Sequence, residues 1–520
     1  MGRSFSDLLA TDPDYVSKIE QSMADVIRDQ LDSDSAEVGT MLRRVRQLDQ
    51  RSQEHLEAVI EDPITLYRVV QGLVNEWREI KTMLKEISLE IKITKKDTKQ
   101  FPKPQDLREI VDVLFRIQDT YRLNTKDIAS GAVAGLNHNG SLTAKECLGI
   151  GLTALENSDF YHALAWLQEA GARYEDEETP TISPVDVLAP LAIALDEQGN
   201  KEAAVRSAVW LAELTDSGDG DKKEILAKYP KVQQLIDIGF PRRGSLFKED
   251  LPPVKNERAD YETGDKIYMA LCRGDLPQKP IFTNPGLKCH YERSRPFLRL
   301  GPAKVEMVTK NPPVVILRGI ISDKEISAVQ HLVKDKLQRS RVETGDNQIY
   351  SPQQRASSTG YLSHLDHNVV ADIRKRVGLF SGLNMKTAEE LQIARYTVGG
   401  HYGPHYDHAT AKSRIQHGYH GSYDKKTGDR IATVMFYLSE PERGGATVFP
   451  YLNVAIPATK GDAVFWYNLL KSGRDDINSI HAGCPVISGV KWIANQWIKE
   501  GGQEFFRQCN LFEDVKVSVT

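Results

Sequence analysis

The sequence predicts a multidomain α+β protein that is helical in its N-terminal half and composed mainly of short β-strands after Pro313. Three observations support this prediction: a heptad repeat near the N-terminus, paired helical patterns between residues 141 and 235, and a C-terminal series of β-branched and aromatic runs. At 520 residues and 58.4 kDa, the chain also exceeds what one hydrophobic core usually organises.

The first helical region carries apolar residues at alternating steps of four and three. They are Leu66, Val70, Leu73, Trp77, Ile80, Leu84, Ile87 and Ile91. Asp62 is a plausible N-cap, with Pro63 at the first helical position. We therefore expect a helical dimerisation domain over residues 1–138, with a coiled coil at about 63–91. The alternative is an amphipathic helix packed inside its own domain, against the looser helical patterns at 13–60 and 105–122.

A second helical unit is expected over residues 141–235, because Thr143 and Glu146 have the spacing of a capping box. Its helical positions recur about 40 residues apart, as in a short tetratricopeptide-like pair of hairpins that binds peptides. The corresponding triplets are Leu155, Asp159 and Ala163, then Leu195, Gly199 and Ala203. A purely architectural helical hairpin is the alternative. Residues 236–312 are predicted to be a connecting region.

Short strands separated by turn residues predict a β-barrel or jelly roll over residues 313–520, with a helix near Asp323–Leu337. The predicted strands are Val314–Leu317, Leu391–Thr397, Ile431–Leu438, Ala446–Phe449, Asp462–Tyr467 and Val490–Ile498.

Composition excludes several classes of function. The net charge of -5 and the absence of a concentrated basic stripe argue against a nucleic-acid partner. No apolar run approaches the roughly 20 residues of a membrane span, so we expect no membrane contact. The first residues lack the pattern of a signal peptide, so we expect either a cytosolic protein or numbering that starts after cleavage.

Four of the five cysteines form two pairs that are close in sequence: Cys272 with Cys289, and Cys484 with Cys509. The absence of CxxC argues against zinc half-sites, so we expect two disulfides and an oxidising compartment rather than five reduced thiols. A glycosylation sequon at Asn139 is compatible with secretion.

A candidate metal site lies in the strand-rich region, where His405 and Asp407 are two residues apart. On a strand such residues share a face, and a distant third histidine would complete a facial triad that leaves coordination positions open. His481 is the candidate third ligand; the alternatives are His401, His408, His417 and His420.

A candidate carboxylate site follows from Lys491, ten residues after His481. A lysine directed into a barrel requires an anionic partner, and the distal carboxylate of 2-oxoglutarate would be one. Tyr396 and Thr433, on neighbouring predicted strands, could donate hydroxyl hydrogen bonds to the same carboxylate.

Several segments resemble the α-subunit of collagen prolyl 4-hydroxylase. They include YTVGGHYGPHYDH, DRIATVMFYLSE, GGATVFP, KGDAVFWYNL, HAGCPV and VKWIANQWIKEGGQEFFRQC, together with the N-terminal heptads, RIQDTY and LTAKEC. The resemblance implies a double-stranded β-helix catalytic domain with Fe(II) on His405, Asp407 and His481. It also implies 2-oxoglutarate on Lys491 with Tyr396 and Thr433, O2 as co-substrate, and ascorbate.

Further expectations come from the same resemblance. Tyr402 and Trp497 would lie on the substrate side. Disulfides Cys272–Cys289 and Cys484–Cys509 would form, with Cys147 free, in the lumen of the endoplasmic reticulum. Protein disulfide isomerase would be the β-subunit of an α2β2 tetramer, which would explain the absence of a retention signal from the final residues VKVSVT.

The chain departs from that family in the peptide-binding unit, where several tyrosines are expected. Pro190, Ile193 and Asp196 stand in the corresponding stretch. Because polyproline helices bind grooves lined by aromatic rings, we expect a weaker preference for collagen-like ligands.

The expected activity is hydroxylation of peptidyl proline at C4, as in procollagen, with 2-oxoglutarate converted to succinate and CO2. One alternative is the same chemistry on lysine, another side chain or a non-collagen protein. The other is a non-catalytic peptide-binding assembly subunit.

Overall fold

The structure is a computed structural model that describes most of the chain in several stretches. They are residues 15–30, 62–86, 103–138, 140–218, 220–239, 246–251, 263–275, 288–344, 347–349, 351, 354–409 and 426–510. The described residues of 1–106 and 263–520 form one compact unit, and those of 107–262 form a second. No helix in these stretches is both long enough and apolar enough to span a bilayer. Asn139, His417 and His420 lie outside them.

The N-terminal region contains three long helices: α1 (Tyr15–Gln30), α2 (Pro63–Glu86) and α3 (Pro104–Tyr121). The predicted start of α2 is confirmed, because the Asp62 carboxylate accepts hydrogen bonds from the backbone N–H groups of Ile64 at 2.9 Å and Thr65 at 2.8 Å. The helical pattern at 105–122 corresponds to α3, and α1 lies in the described part of the pattern at 13–60, of which residues 31–60 are outside the described stretches.

The heptad positions of α2 that the structure describes are buried within one copy of the chain. They are Leu66, Val70, Leu73, Trp77 and Ile80. Ile64, Tyr67 and Val74, which lie outside that seam, are buried as well. A two-stranded coiled coil needs only the narrow seam, so this wider buried face agrees better with the alternative of a helix packed inside its own chain.

The second unit is mostly helical. It contains α4 (Thr125–Ala129), β1 (Ala132–Val133), β2 (Leu136–Asn137), α5 (Ala144–Glu156), α6 (Phe160–Asp176), α7 (Pro184–Gln198), α8 (Lys201–Asp216), α9 (Lys222–Lys228) and α10 (Pro230–Ile238). The capping box of Thr143 and Glu146 is confirmed at the start of α5. Helix α7 ends at Gly199, whose φ of 92° favours glycine. Packing of α5 on α6 and of α7 on α8 gives the two predicted hairpins.

The three positions where tyrosines were expected have different environments on α7. Pro190 is buried, and so is Asp196, whose carboxylate lies 2.5 Å from the Lys231 ammonium. Ile193 alone of the three retains partial exposure. Only one of these positions therefore offers a side chain to a ligand.

The strand-rich unit consists of two facing antiparallel sheets with helices on one side. Its strands are β3 (Cys289–Glu292), β4 (Ala303–Lys310), β5 (Pro313–Arg318), β6 (Gln338–Arg339), β7 (Val342–Thr344), β8 (Asn347–Ile349), β9 (Arg355–Ala356), β10 (Ser358–Leu362), β11 (Leu391–Tyr396), β12 (His401–His405), β13 (Arg430–Tyr437), β14 (Arg443–Gly444), β15 (Thr447–Phe449), β16 (Val454–Ile456), β17 (Ala463–Tyr467), β18 (His481–Gly483), β19 (Val486–Ser488) and β20 (Lys491–Lys499). Its helices are α11 (Thr263–Arg273), α12 (Pro296–Leu300), α13 (Asp323–Val333) and α14 (Asn368–Ser381).

The major sheet has nine strands in the order β3-β4-β5-β17-β13-β20-β11-β10-β6, and the minor sheet has five in the order β16-β15-β18-β12-β9. This arrangement confirms the predicted jelly roll, and each of the six predicted strands is present with its ends within one residue of the prediction. A core of apolar residues from α13, α14 and the major sheet supports the outer side of that sheet.

The predicted connecting region is partly wrong. Strands β3 and β4 lie within residues 236–312, yet they form the edge of the major sheet. Strand β4 alternates apolar and polar residues from Ala303 to Met307, and a register shift between Met307 and Thr309 interrupts the pattern. The sheet therefore starts well before Pro313.

The expected cysteine pairing is also wrong. Cys272 on α11 is bonded to Cys484, across a sequence separation of 212 residues, whereas Cys289 and Cys509 are exposed free thiols. The reason is tertiary: α11 packs on β12, β15 and β16, which brings the two Cα atoms to 5.6 Å. Cys147 is free and buried, as expected.

Candidate active site

Two strands of the minor sheet bring the candidate metal ligands together. Strand β12 ends at His405 and β18 begins at His481, and these two residues are direct partners in the antiparallel pairing. Asp407 lies two residues beyond the end of β12, so the loop, and not strand alternation, directs its carboxylate. One ligand atom from each of the three residues lies within 4.8 Å of the others.

A β-bulge shapes this corner of the site. Tyr402 pairs with Gly483 and His405 pairs with His481, so β12 has one residue more than β18 between the two pairs. The extra residue turns Tyr402 and His405 to the same face, and their rings stack with centroids 3.5 Å apart.

The histidine tautomers suit a metal. Nδ1 of His405 donates to the Gly403 carbonyl at 2.9 Å, and Nδ1 of His481 donates to the Ser479 carbonyl at 3.0 Å. Since a carbonyl can only accept, each proton must be on Nδ1, which leaves Nε2 with a free lone pair. Both Nε2 atoms face Asp407, at 3.8 Å for His405 and 3.7 Å for His481.

The charges of the site also favour metal binding. Burial and the neighbouring His481 lower the pKa of His405 to about 3, so its imidazole stays neutral. Burial opposes ionisation of Asp407, but His481, His405 and Arg430 outweigh it and lower the pKa of the carboxyl to about 2. Two imidazoles and a carboxylate are a donor set that fits Fe(II).

Thr433 has a different role from the one predicted. Its hydroxyl donates to Oδ2 of Asp407 at 2.7 Å and accepts from Nδ2 of Asn468 at 2.9 Å. Because its proton is already committed to a ligand carboxylate, Thr433 orients Asp407 instead of binding a co-substrate. Arg430 supports the same loop by donating to the Asp407 carbonyl at 3.2 Å, while its guanidinium is paired with Glu389.

Lys491 lies in the environment that was predicted for it. It is buried, and its ammonium donates to the hydroxyl of Thr447 at 3.4 Å. It also lies 5.7 Å from the Tyr396 ring and 5.6 Å from the Tyr437 ring. Burial lowers the pKa of Lys491 to about 7, and among the described residues no carboxylate pairs with it.

These contacts fit a carboxylate ligand. An ammonium held in an apolar, aromatic environment is stabilised by an anion that enters beside it. Thr447, which also accepts from the Tyr437 hydroxyl at 2.9 Å, is the hydroxyl beside Lys491, in the place predicted for Thr433. Tyr396 is the cross-strand partner of Lys491, as its predicted role requires.

Tyr402 and Trp497 line the same cavity, which has a volume of about 640 Å³ and contains the three metal ligands and Lys491. Arg355 lies over the Tyr402 ring at 4.5 Å, and Arg430 lies over the Trp497 ring at 3.6 Å. Burial raises the pKa of Tyr402, so its phenol remains protonated.

Of the alternative third ligands, His401 and His408 are described and do not belong to the ligand group. Nδ1 of His401 is hydrogen-bonded to the Gly399 carbonyl at 3.2 Å, and Nδ1 of His408 lies 3.3 Å from the Ala409 carbonyl.

Comparison with known proteins agrees with this site. Residues 12–135 match the N-terminal region of the prolyl 4-hydroxylase α-subunit, and residues 144–232 match the prolyl 4-hydroxylase peptide-substrate-binding domain. Residues 391–499, which contain every ligand named above, match the 2OG-Fe(II) oxygenase superfamily.

Curated relatives match over almost the whole chain. Prolyl 4-hydroxylase subunit alpha-2 of Caenorhabditis elegans is 34% identical over 99% of this chain and 95% of its own length. The alpha-1 subunit of the same organism is 38% identical over 87% of this chain and 80% of its own length. The human alpha-1 subunit is 33% identical over 98% of this chain and 94% of its own length.

The chain belongs to the prolyl 4-hydroxylase α-subunit family. It is a dioxygenase that depends on Fe(II) and 2-oxoglutarate. His405, Asp407 and His481 fit the metal, and Lys491 with Thr447 fits a co-substrate carboxylate.

Sequence reasoning missed Thr447, Asn468 and Arg355. Thr447 lies in GGATVFP, between two glycines and two apolar residues, and only the pairing of β15 with β18 shows that it lies near Lys491. Asn468 directly follows the predicted strand that ends at Tyr467, and a polar residue at such a position was a signal that could have been used.

Proposed function

We propose that this chain is the catalytic subunit of a procollagen-proline 4-dioxygenase. The proposal rests on one cavity that contains both a facial triad and a buried lysine. This lysine has no anionic partner among the described residues. Membership in the prolyl 4-hydroxylase α-subunit family selects C4 of peptidyl proline as the position that reacts.

Each residue of the site would have its own role. His405, Asp407 and His481 would hold Fe(II), and Thr433 would fix the carboxylate orientation. Lys491 would neutralise the distal carboxylate of 2-oxoglutarate, with Thr447 and Tyr396 beside it. When bound, Fe(II) with 2-oxoglutarate and O2 supplies the oxidising power for hydroxylation, and 2-oxoglutarate leaves as succinate and CO2. Ascorbate would keep the iron reduced.

On the substrate side, Tyr402 and Trp497 line the cavity that contains the metal ligands. The Tyr402 ring is stacked on His405 at 3.5 Å and covered by Arg355 at 4.5 Å, so a proline ring that contacts the edge of Tyr402 would lie close to the metal. Arg430 covers the Trp497 ring at 3.6 Å.

The cellular setting is part of the same proposal. The Cys272–Cys484 disulfide is compatible with an oxidising compartment, and we infer the lumen of the endoplasmic reticulum. Family membership supports an α2β2 tetramer with protein disulfide isomerase as β-subunit. Dimerisation would use the N-terminal region, but the burial of the α2 seam indicates that the contact surface is another face of that region.

The test is mass spectrometry of peptides after incubation with the full chain, Fe(II), 2-oxoglutarate and ascorbate. The panel contains (Pro-Pro-Gly)n, polyproline, and proline-poor peptides that contain lysine. A gain of one oxygen at proline C4, coupled to succinate, supports the proposal. Hydroxylation of lysine alone would favour the first alternative, and no turnover of any peptide would favour a binding subunit.

A further inference from the structure

Three polar side chains form a continuous row across the inner face of the major sheet. Tyr361 on β10 is the direct partner of Gln392 on β11, and Gln392 is the direct partner of Asn495 on β20. Direct cross-strand partners point to the same face of a sheet. Nε2 of Gln392 donates to the Tyr361 hydroxyl at 2.7 Å, and Nδ2 of Asn495 donates to Oε1 of Gln392 at 3.2 Å.

This row, which we call the polar ladder, lines the same cavity as the metal ligands. Tyr361 is 48% exposed and Gln392 is 2% exposed, so the ladder runs from the mouth of the cavity into the barrel. Among the described residues, none of its three members is hydrogen-bonded to the metal ligands or to Lys491. The proposed dioxygenase reaction therefore does not use the ladder.

Each end of the ladder has a hydrogen-bonding group that no described residue satisfies. The Tyr361 oxygen accepts a hydrogen bond from Gln392, and its own O–H remains available to donate to an acceptor. At the other end, Oδ1 of Asn495 is buried and has no hydrogen-bond partner among the described residues. Exchanging the N and O positions of both amides would exchange the two ends, with the free acceptor at Tyr361 and the free donor at Asn495; with the positions as placed, Tyr361 donates and Asn495 accepts.

A second observation points to a ligand at the same place. Trp497, two residues beyond Asn495 on the same face of β20, is 5% exposed, and its indole N–H also lacks a partner among the described residues. A buried polar group without a partner is unfavourable, so two such groups on the same face of β20 in a cavity indicate that a polar ligand completes them.

We propose that the polar ladder is a subsite that binds the main chain of the peptide substrate, one carbonyl at Tyr361 and one N–H at Asn495. The proposal rests on the proposed function and adds a specificity-determining element to it. Tyr361, Gln392 and Asn495 would not recognise a side chain, because a main-chain carbonyl and N–H complete both ends.

The dimensions agree with a peptide in the polyproline II conformation. Tyr361 and Asn495 are separated by two strand spacings, about 9.6 Å. A polyproline II helix repeats every three residues with a rise of about 3.1 Å per residue, so equivalent groups recur about every 9.3 Å on one face. The strand spacing across the ladder is therefore close to the length of one triplet of such a peptide.

This geometry restricts the sequence of the substrate. Proline has no N–H, so Asn495 can accept only from a residue other than proline at a fixed distance along the peptide. A peptide with a non-proline residue at every third position satisfies the ladder in the one register of three that places this residue at Asn495, whereas uninterrupted polyproline has no such register. The ladder thus selects against polyproline at the active site itself, independently of the helical peptide-binding unit.

The first test compares Tyr361→Phe with the matched control Tyr291→Phe, at a tyrosine of similar exposure outside the cavity. Both variants are made in the full chain, co-expressed with protein disulfide isomerase. We expect the KM for (Pro-Pro-Gly)5 to rise about three- to tenfold in Tyr361→Phe. The KM for 2-oxoglutarate and kcat should change much less. Tyr291→Phe should behave as the parent enzyme.

The second test removes the ligand's N–H instead. Replacing single glycine amides of (Pro-Pro-Gly)5 by esters should lower kcat/KM about three- to tenfold at one position in the parent enzyme. The same ester should cost nothing further in Asn495→Ala, because the accepting oxygen is gone. An equal ester penalty in both enzymes, or an unchanged peptide KM in Tyr361→Phe, would overturn the ladder.

Peptide binding without O2, followed by tryptophan fluorescence, separates this proposal from the proposed function. If the parent enzyme hydroxylates no proline peptide, the function fails, and the ladder is then judged by binding alone. Weaker binding of (Pro-Pro-Gly)5 to Tyr361→Phe than to Tyr291→Phe would still support the ladder, and equal binding would refute it.

Discussion

The Thr433 hydroxyl donates to the Asp407 carboxylate at 2.7 Å, whereas the Thr447 hydroxyl lies 3.4 Å from the Lys491 ammonium. Two threonines, one on β13 of the major sheet and one on β15 of the minor sheet, thus lie in one cavity, the first beside the metal ligands and the second beside the co-substrate lysine. The difference between them yields the first prediction.

Thr433→Val and Thr447→Val should have separable effects. Loss of the hydroxyl at Thr433 releases the Asp407 carboxylate, so the Fe(II) requirement should rise about 10- to 100-fold. Loss of the hydroxyl at Thr447 should instead raise the KM for 2-oxoglutarate several-fold. Succinate production titrated against each component checks both, and the reverse pattern would show that Thr433 binds the co-substrate.

The 2-oxoglutarate requirement should depend on pH through Lys491. Burial lowers the pKa of its ammonium to about 7, so above pH 7 an increasing fraction must take up a proton before it can pair with a carboxylate. The KM for 2-oxoglutarate should therefore rise as the pH increases above 7, by up to about tenfold per pH unit.

Lys491→Ala is the control for that profile. It should raise the KM for 2-oxoglutarate at every pH, since the one cation beside the carboxylate is lost, a charge-assisted contact of about 1.5–3 kcal/mol. It should also remove the rise above pH 7. A KM in Lys491→Ala that equals the parent value would exclude the assignment.

The disulfide should be found between Cys272 and Cys484 by peptide mapping of the unreduced protein. Cys272→Ser and Cys484→Ser should each lower the free energy of unfolding by about 2–5 kcal/mol, and the double variant should lose no more than either. Cys289→Ser and Cys509→Ser are the controls. Recovery of Cys272–Cys289 and Cys484–Cys509 peptides would contradict the pairing.

Ile193→Tyr should increase the affinity of the chain for polyproline. Ile193 is the only one of the three replaced positions with an exposed side chain, and one aromatic contact adds about 0.5–1.5 kcal/mol, or roughly two- to twelvefold in Kd. Calorimetric titration of the full chain measures the change, with Ile193→Ala as control. Micromolar binding of polyproline by the unmodified chain would show that other residues already rebuild the groove.

His162 should make the helical unit sensitive to alkaline pH. Its ring lies between Asp119, at 3.2 Å, and Asp159, at 2.6 Å. Burial alone would lower its pKa, but the two carboxylates raise it to about 9. The stabilisation is therefore complete below pH 6.5 and is lost as the pH rises through 9, a loss of about 3 kcal/mol.

Urea unfolding at pH 6.5 and pH 9.5 measures that loss. His162→Gln should reduce stability at pH 6.5 and show a smaller change between the two pH values. His331→Gln, at an exposed histidine on α13, is the matched control and should keep the pH dependence of the parent.

Local patterns in the sequence determined several helices and the six predicted strands. The Asp62 cap, the Thr143 capping box and the six predicted strands depend on residues next to one another in the chain, and the structure confirms them. The spacing of His405 and Asp407, the late His481 and the position of Lys491 also identified the site. Ionisable side chains are unusual inside a barrel, and their residue types can be identified directly from the sequence.

Tertiary structure alone decided which distant groups meet. Packing between elements that are distant in the chain, and not proximity in sequence, places Cys272 beside Cys484 and Thr447 beside Lys491. The bulge in β12 turns Tyr402 onto His405, although strict alternation would point them to opposite faces. Register across strands β10, β11 and β20 aligns Tyr361, Gln392 and Asn495, because cross-strand neighbours depend on how segments about 30 and 100 residues apart pair. The sequence contains the residues of such a row, but it does not show which of them become cross-strand neighbours.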